Sequence, residues 1–175
     1  MKTRVSSYLV LLIPLLIAAG VVFCFSSGAL IPVHGNSMMP TLQDGTHIWV
    51  NRFAYGIRSP LSGRYMFGIK EPERGDLILY RSPKDNHLVV KRCIGLPGDK
   101  LTAVRGDMLI ASSILIPMRT GQERTFAGMD VIPTGMIFTY GENSTRSIDS
   151  RDYGLVQISS IEGKVIGIIQ AGKHP

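Results

Sequence analysis

Ser37 and Lys91 are the two side chains of this 175-residue chain best suited to do chemistry together. Ser37 sits in Gly35-Asn36-Ser37-Met38-Met39-Pro40-Thr41-Leu42, among turn-forming residues; Lys91 opens Lys91-Arg92-Cys93-Ile94-Gly95-Leu96-Pro97-Gly98-Asp99, a strand-like run closed by a Pro-Gly turn. A serine hydroxyl attacks an amide poorly until a base removes its proton. Lysine can be that base only as the neutral amine, and its reference pKa is about 10.4. Lowering it to about 8 takes roughly 3.3 kcal/mol of differential destabilisation, which desolvation can supply. Strand alternation puts Val89, Lys91 and Cys93 on one face and Val90, Arg92 and Ile94 on the other, so the amine shares a face with apolar neighbours. Residue types alone also suit a solvated strand lysine and a plain turn serine, and both readings stay open on this evidence.

The elements that must position the pair read as short strands. After an extended approach over Leu30-Ile31-Pro32-Val33, strands are predicted over His47 to Val50, Gly75 to Tyr80, Leu88 to Ile94, Met108 to Ile116, Met136 to Tyr140, Leu155 to Ser159 and Lys164 to Gln170. Glycines and prolines recur too often for long helices. The expectation is a mainly β fold, coiled antiparallel sheets or a barrel-like domain, over residues 28–175. Phe53 to Ile69, aromatic and apolar but broken by glycines and a proline, reads either as a hairpin packed on the sheet or as a lip dipping into a membrane interface.

Tyr8 to Phe25 carries no charge over 18 residues, about 27 Å of helix against a hydrocarbon core of about 30 Å. One N-terminal transmembrane helix is therefore expected over residues 8–27, preceded by a short cytoplasmic stretch, 1–7. Lys2 and Arg4 favour a cytoplasmic N-terminus and an external remainder. Pro14 does not forbid a span. A cleaved signal peptide, with Ser26-Ser27-Gly28-Ala29 near its cut, is the rival, but the run exceeds the usual 7–15-residue apolar core.

Lys2 and Arg4 also account for two of the formal +6 charges, leaving +4 on the domain. That mild excess suits an anionic phospholipid surface. No basic block or zinc-finger spacing points to nucleic acid. Cys24, in the expected span, and Cys93 cannot make a disulfide framework. His34, His47, His87 and His174 show no metal-ligand spacing, so no metal is expected.

Four segments in order carry a resemblance across nearly the whole chain: Ser37-Met38-Met39-Pro40-Thr41-Leu42, Arg74-Gly75-Asp76-Leu77-Ile78-Leu79-Tyr80, Lys91 to Asp99, and Gly141-Glu142-Asn143-Ser144-Thr145-Arg146-Ser147-Ile148-Asp149-Ser150-Arg151. With the apolar run before them, they resemble the bacterial type I signal peptidase (leader peptidase) family. The resemblance implies a membrane-bound endopeptidase with Ser37 as nucleophile and Lys91 as general base. It implies that Ser147 sets its hydroxyl against the lysine amine and that Asp149 and Arg151 support the region. It also implies cleavage of exported preproteins after small residues of Ala-X-Ala type at the external face of the cytoplasmic membrane, near the export translocase, without a cofactor.

Three departures from the family pattern stand out. Many members have a serine two residues before the nucleophile, where this chain has Gly35, so oxyanion binding falls more heavily on backbone donors such as the Ser37 N–H. Glu142, Ser144, Thr145 and Arg146 replace a segment commonly richer in Asp, Asn and Arg. Only 41 residues separate Asp99 from Gly141, so the large second lobe of some members must be reduced or absent. Other readings are a dedicated maturation peptidase of a conjugation or secretion system, and a non-catalytic membrane-anchored β-domain that binds exported peptides. A self-cleaving repressor-like Ser/Lys protein would need a soluble DNA-binding segment where the apolar run stands.

Overall fold

The computed structural model describes residues 12–17, 20, 28–59, 65–67, 70–104, 106–111 and 113–170. Most of the expected anchor lies outside the described residues. Residues 12–17 are helical and exposed, and among the described residues no helix is long and apolar enough to cross a membrane.

The fold is mainly β. Seven strands, β1 (Gly28–Pro32), β2 (His47–Asn51), β5 (Leu77–Arg81), β6 (Leu88–Gly95), β10 (Met136–Tyr140), β11 (Val156–Gln157) and β12 (Ile161–Ile169), form one antiparallel sheet in the order β1-β2-β12-β5-β6-β10-β11. Four strand spacings separate β1 from β6, about 19 Å in a flat sheet. Yet Ile31 and Pro32 of β1 line the same groove as Val89 and Val90 of β6. The sheet therefore curls on itself. Register shifts in β12 and at Phe138/Thr139 of β10 add the local bends that curling needs.

The remaining strands make two small additions. β3 (Ile57–Arg58) and β4 (Tyr65–Phe67) form a hairpin. Its base is held to the sheet by buried Tyr55 and by Tyr65, whose hydroxyl donates to the Ile161 carbonyl at 2.9 Å. The described part of 53–69 is thus the packed hairpin; its tip lies outside the described residues. β7 (Leu101–Val104), β8 (Asp107–Ile110) and β9 (Ile114–Ile116) form a three-stranded sheet, followed by a 3₁₀ turn at Gln122–Phe126. This small sheet and turn pack through Met108, Ile110 and Phe126 against Phe138 of the main sheet.

Three expected strands need correction. Met108 to Ile116 is not one strand but two, because Ala111 takes a positive φ of 52° and the chain reverses into a hairpin. Leu155 to Ser159 keeps only the two residues of β11 before a 3₁₀ turn at Ile158–Ser160, and the last strand starts at Ile161 rather than Lys164. A single-turn helix, α1 (Ser150–Tyr153), was not anticipated at all. Its signal is local: the Asp149 side chain accepts from the first turn, while the Asp152 side chain accepts from the Asp149 N–H, a reciprocal cap.

Candidate active site

Ser37 stands on a loop between β1 and β2 that is closed at its base. Val33 N–H donates to Thr46 O at 2.8 Å, Gly45 N–H to Val33 O at 3.0 Å, and Gly35 N–H to Asp44 Oδ1 at 2.8 Å. Gly35 has φ of 87°, a conformation that glycine adopts without steric cost. Met38 and Leu42 are buried in the core beside Ile48, which roots the turn and leaves Ser37 at the surface of the groove. The Met39–Pro40 peptide is cis.

Lys91 lies on β6, directly opposite Ile78 of β5. The alternation expected from sequence holds: Val89 and Cys93 pack in one cluster with Ile78 and Tyr80, and Val90 packs in another with Leu79. Lys91 is 3 % exposed. Its Nζ lies 2.6 Å from Ser37 Oγ. Burial depresses the lysine pKa to about 8; Arg151 pushes the same way, while Asp149 and Asp152 push back. A lysine so placed is about half neutral near pH 8 and lies within hydrogen-bond reach of the Ser37 hydroxyl, the geometry that general-base catalysis requires.

The 141–151 segment wraps this pair. Asn143 N–H donates to Ser37 O at 3.0 Å, and Asn143 Nδ2 donates to Asn36 O at 3.0 Å. Arg92, next to the lysine, reaches the segment too: its Nε donates to Glu142 Oε1 at 2.7 Å and its Nη1 to Gly75 O at 2.6 Å. Asp149 and Arg151, 0 % and 1 % exposed, form a two-pronged ion pair with Nε–Oδ1 and Nη2–Oδ2 both at 2.9 Å. The second carboxylate oxygen also accepts from Gly141 N–H at 2.8 Å. Arg151 lies over the Tyr140 ring, 4.7 Å from its centroid. The pair thus braces the strand end that leads into the segment.

Ser147 is fully buried, and its Oγ has no hydrogen-bond partner among the described residues. It makes no bond to Lys91 in this structure. Instead it fills the niche beside Gly141, close to the Ser37 carbonyl. An unpartnered buried hydroxyl is costly and calls for an explanation in function.

Beneath these groups runs a buried hydroxyl chain that sequence reading missed. Tyr80 OH and Thr139 Oγ1 are 2.8 Å apart, Thr139 Oγ1 and Ser150 Oγ are 3.0 Å apart, and Tyr153 OH bonds Tyr80 OH. Thr139 N–H donates to Ser150 Oγ at 2.9 Å, which fixes α1 against β10. Gly141, Asn143 and the Arg92–Glu142 pair were also missed as individual residues, because nothing in a glycine or a surface-type ion pair announces such contacts.

The groove in front of Ser37 has a volume of about 250 Å³. Its walls are largely aliphatic, with Ile31, Val33, Leu79, Val89 and Val90 among them, and His34 at its margin. Among the described residues, no group of three or more His, Cys, Asp or Glu side chains is placed to hold a metal ion.

A serine hydroxyl against a buried lysine of lowered pKa, beside an apolar groove, has the parts that a Ser/Lys hydrolytic centre needs. The signal peptidase, peptidase S26 family matches residues 5–169, and the chain belongs to that family of serine endopeptidases. A signal peptidase I from Bacillus caldolyticus is 33% identical over 149 residues, covering 76% of this chain and 74% of that protein. A signal peptidase I from Pseudomonas aeruginosa is 29% identical over 184 residues, covering 82% of this chain and 65% of that protein. The chain spans only 22% of a Buchnera aphidicola signal peptidase I, with which 69 residues align at 42% identity. A crystal structure of a signal peptidase I from Enterococcus faecalis aligns with 56% of this chain and 99% of its own, at 28% identity and a TM-score of 0.41.

Proposed function

We propose that this chain is a signal peptidase I, cutting signal peptides from exported preproteins by acyl transfer to Ser37. The observation that carries the reading is the 2.6 Å contact between Ser37 Oγ and the buried Lys91 amine, in a chain of this family. Neutral Lys91 takes the hydroxyl proton as Ser37 Oγ attacks the scissile carbonyl. The carbonyl oxygen becomes the oxyanion and accepts from the Ser37 backbone N–H, which makes no other hydrogen bond among the described residues. Collapse breaks the C–N bond, and the protonated lysine hands its proton to the leaving amine. Lys91, neutral again, activates water to hydrolyse the ester.

Ser147 serves as the third member of the site, its hydroxyl turning toward the Lys91 amine when substrate fills the groove. Asp149 and Arg151 hold its segment in place. The substrate lies extended in the groove, and small residues at the first and third positions before the cut let its backbone approach Ser37. Residues 8–27 anchor the chain in the cytoplasmic membrane, with 1–7 inside and 28–175 on the external face, where preproteins emerge from the translocase. The mechanism calls on no metal or organic cofactor.

Mass spectrometry of a signal-peptide substrate with an Ala-X-Ala site, incubated with wild type and Ser37→Ala, tests this. Cleavage after the second alanine that disappears in Ser37→Ala supports it. Binding without cleavage by folded wild type would make the chain a peptide-binding module instead, and cleavage confined to one co-encoded substrate would make it a dedicated maturation peptidase.

A further inference from the structure

The link between β9 and the 3₁₀ turn makes a reciprocal exchange with the segment that carries Ser147. Arg119 Nη2 donates to the Ser147 carbonyl at 2.7 Å, and Arg151 Nη1 donates to the Pro117 carbonyl at 3.1 Å. Each arginine therefore holds the backbone of the other's strand of chain. Gln122 secures the exchange: its Oε1 accepts from Arg119 N–H at 2.7 Å, and its Nε2 donates to Asp152 Oδ1 at 2.7 Å. Asp152 in turn lies 3.6 Å from the Arg119 guanidinium.

The grip bears on one peptide unit in particular. Ser147 N–H donates to Asn143 O at 2.9 Å, and Asn143 is tied to the Ser37 loop, so the N-terminal side of Ser147 is fixed from the nucleophile. On its C-terminal side the Ile148 side chain is half-exposed, and the next anchor is buried Asp149, two residues on. Between the two, the Arg119 guanidinium holds the Ser147 carbonyl itself through a strong, charge-assisted bond. With both flanking peptide groups held, the Cα–Cβ bond of Ser147 has one direction, into the niche beside Gly141 and the Ser37 carbonyl.

We infer that Arg119 is a positioning residue for the reaction, holding the Ser147 carbonyl so that the Ser147 side chain stays in the niche from which its hydroxyl turns to the Lys91 amine. The inference rests on the proposed role of Ser147. It gives the three-stranded sheet and the link that follows it a purpose: besides closing the core, they supply the outer clamp of the proposed support. Arg119 touches no reacting atom; it acts through Ser147.

Steady-state cleavage of the Ala-X-Ala substrate by the full chain tests this with Arg119→Met, Arg119→Lys, Ser147→Ala and the Arg119→Met/Ser147→Ala double variant. Arg119→Met should lower kcat about 10-fold with KM within about two-fold, and Arg119→Lys, which keeps a charged donor, should recover most of it. The double variant should be no slower than Ser147→Ala alone, because an effect exerted through Ser147 vanishes with that hydroxyl. Additive losses in the double variant, or an unchanged kcat in Arg119→Met, would overturn the inference while leaving the proposed function standing. An inactive, folded wild type would instead sink the proposed function itself. Should Arg119→Met fail to fold, the same cycle run with Arg119→Gln, which keeps a neutral donor, decides in its place.

Discussion

Ser147 leaves no room for a side chain on Gly141: a β-carbon there would stand 1.9 Å from Ser147 Oγ, 2.5 Å from Ser147 Cβ and 2.9 Å from the Ser37 carbonyl oxygen. The absence of a side chain at 141 is what lets the support segment come into contact with the nucleophile loop. Gly141→Ala should therefore cost about 1–3 kcal/mol in stability and, by displacing Ser147 and Ser37 on the order of an ångström, about 100-fold in processing. A second change, Ser147→Ala, removes only the oxygen from the clash and should not restore activity. Chemical denaturation and cleavage rates check both, and a fully active Gly141→Ala would show that the niche is looser than described.

Activity should rise with pH through about 8 as the Lys91 amine becomes neutral, since burial disfavours its charged form. A single-turnover rate profile measured from pH 6 to 10 reads this directly. A flat profile with chemistry limiting would argue against lysine as the base.

The same burial should weaken the fold at neutral pH. With the folded pKa near 8 and a reference value of 10.5, the unfolded chain binds the proton more tightly between those values, so stability rises with pH across that window. Below about 8 the full penalty, about 3 kcal/mol, is present; above about 10.5 it is gone. Lys91→Met should be more stable than wild type at pH 7, and that advantage should shrink toward pH 10.5. Denaturation midpoints of the two proteins at both pH values supply the comparison, and an advantage independent of pH would point to packing instead.

Arg151→Met should be far more damaging than loss of a surface ion pair. It leaves the Asp149 carboxylate buried without its counter-charge and removes the bond to Pro117. A loss of about 3–5 kcal/mol is expected, read from urea unfolding. A loss under about 1 kcal/mol, the level of an exposed pair, would mean that water reaches the site.

Gly35→Ser would set a hydroxyl two residues before Ser37, and a β-carbon at 35 meets nothing within 4 Å. The backbone is the obstacle, because φ of 87° costs a non-glycine residue about 1–2 kcal/mol. The variant should be destabilised by about that amount without a gain in kcat. A faster enzyme would mean that the added hydroxyl reaches the oxyanion despite the strain.

The facing serine and lysine and the buried Asp149–Arg151 pair were legible in the sequence, and the bonds that tie their segments to the rest of the fold were not. Ser37 and Lys91 stood in motifs with an order, and alternation along Leu88 to Ile94 correctly gave the lysine an apolar face. Arg119 has no comparable signal, since its partner is a carbonyl 28 residues away and any arginine could make that bond. The hydroxyl chain of Tyr80, Thr139 and Ser150 joins three elements that only the tertiary fold brings together. Ala111 concealed a reversal because alanine rarely takes a positive φ, and periodicity therefore read straight through the β8–β9 turn. Capping could have been anticipated: Asp149 and Asp152 have the spacing of a reciprocal cap, hidden inside a segment valued for its charges.

The place of β12 in the sheet has a consequence for how the molecule comes into being. Ile161–Ile169, the final strand described, lies between β2 and β5, so it separates the strand that follows the Ser37 loop from the strands that carry Lys91. While a growing chain lacks those nine residues, β2 and β5 share no hydrogen-bonded neighbour, and the Ser37 loop meets the Lys91 strands only through side-chain contacts and the Asn143 bonds. The serine and lysine are thereby locked into one continuous sheet only by a strand that follows both of them, and every residue of the 141–151 segment, in the chain.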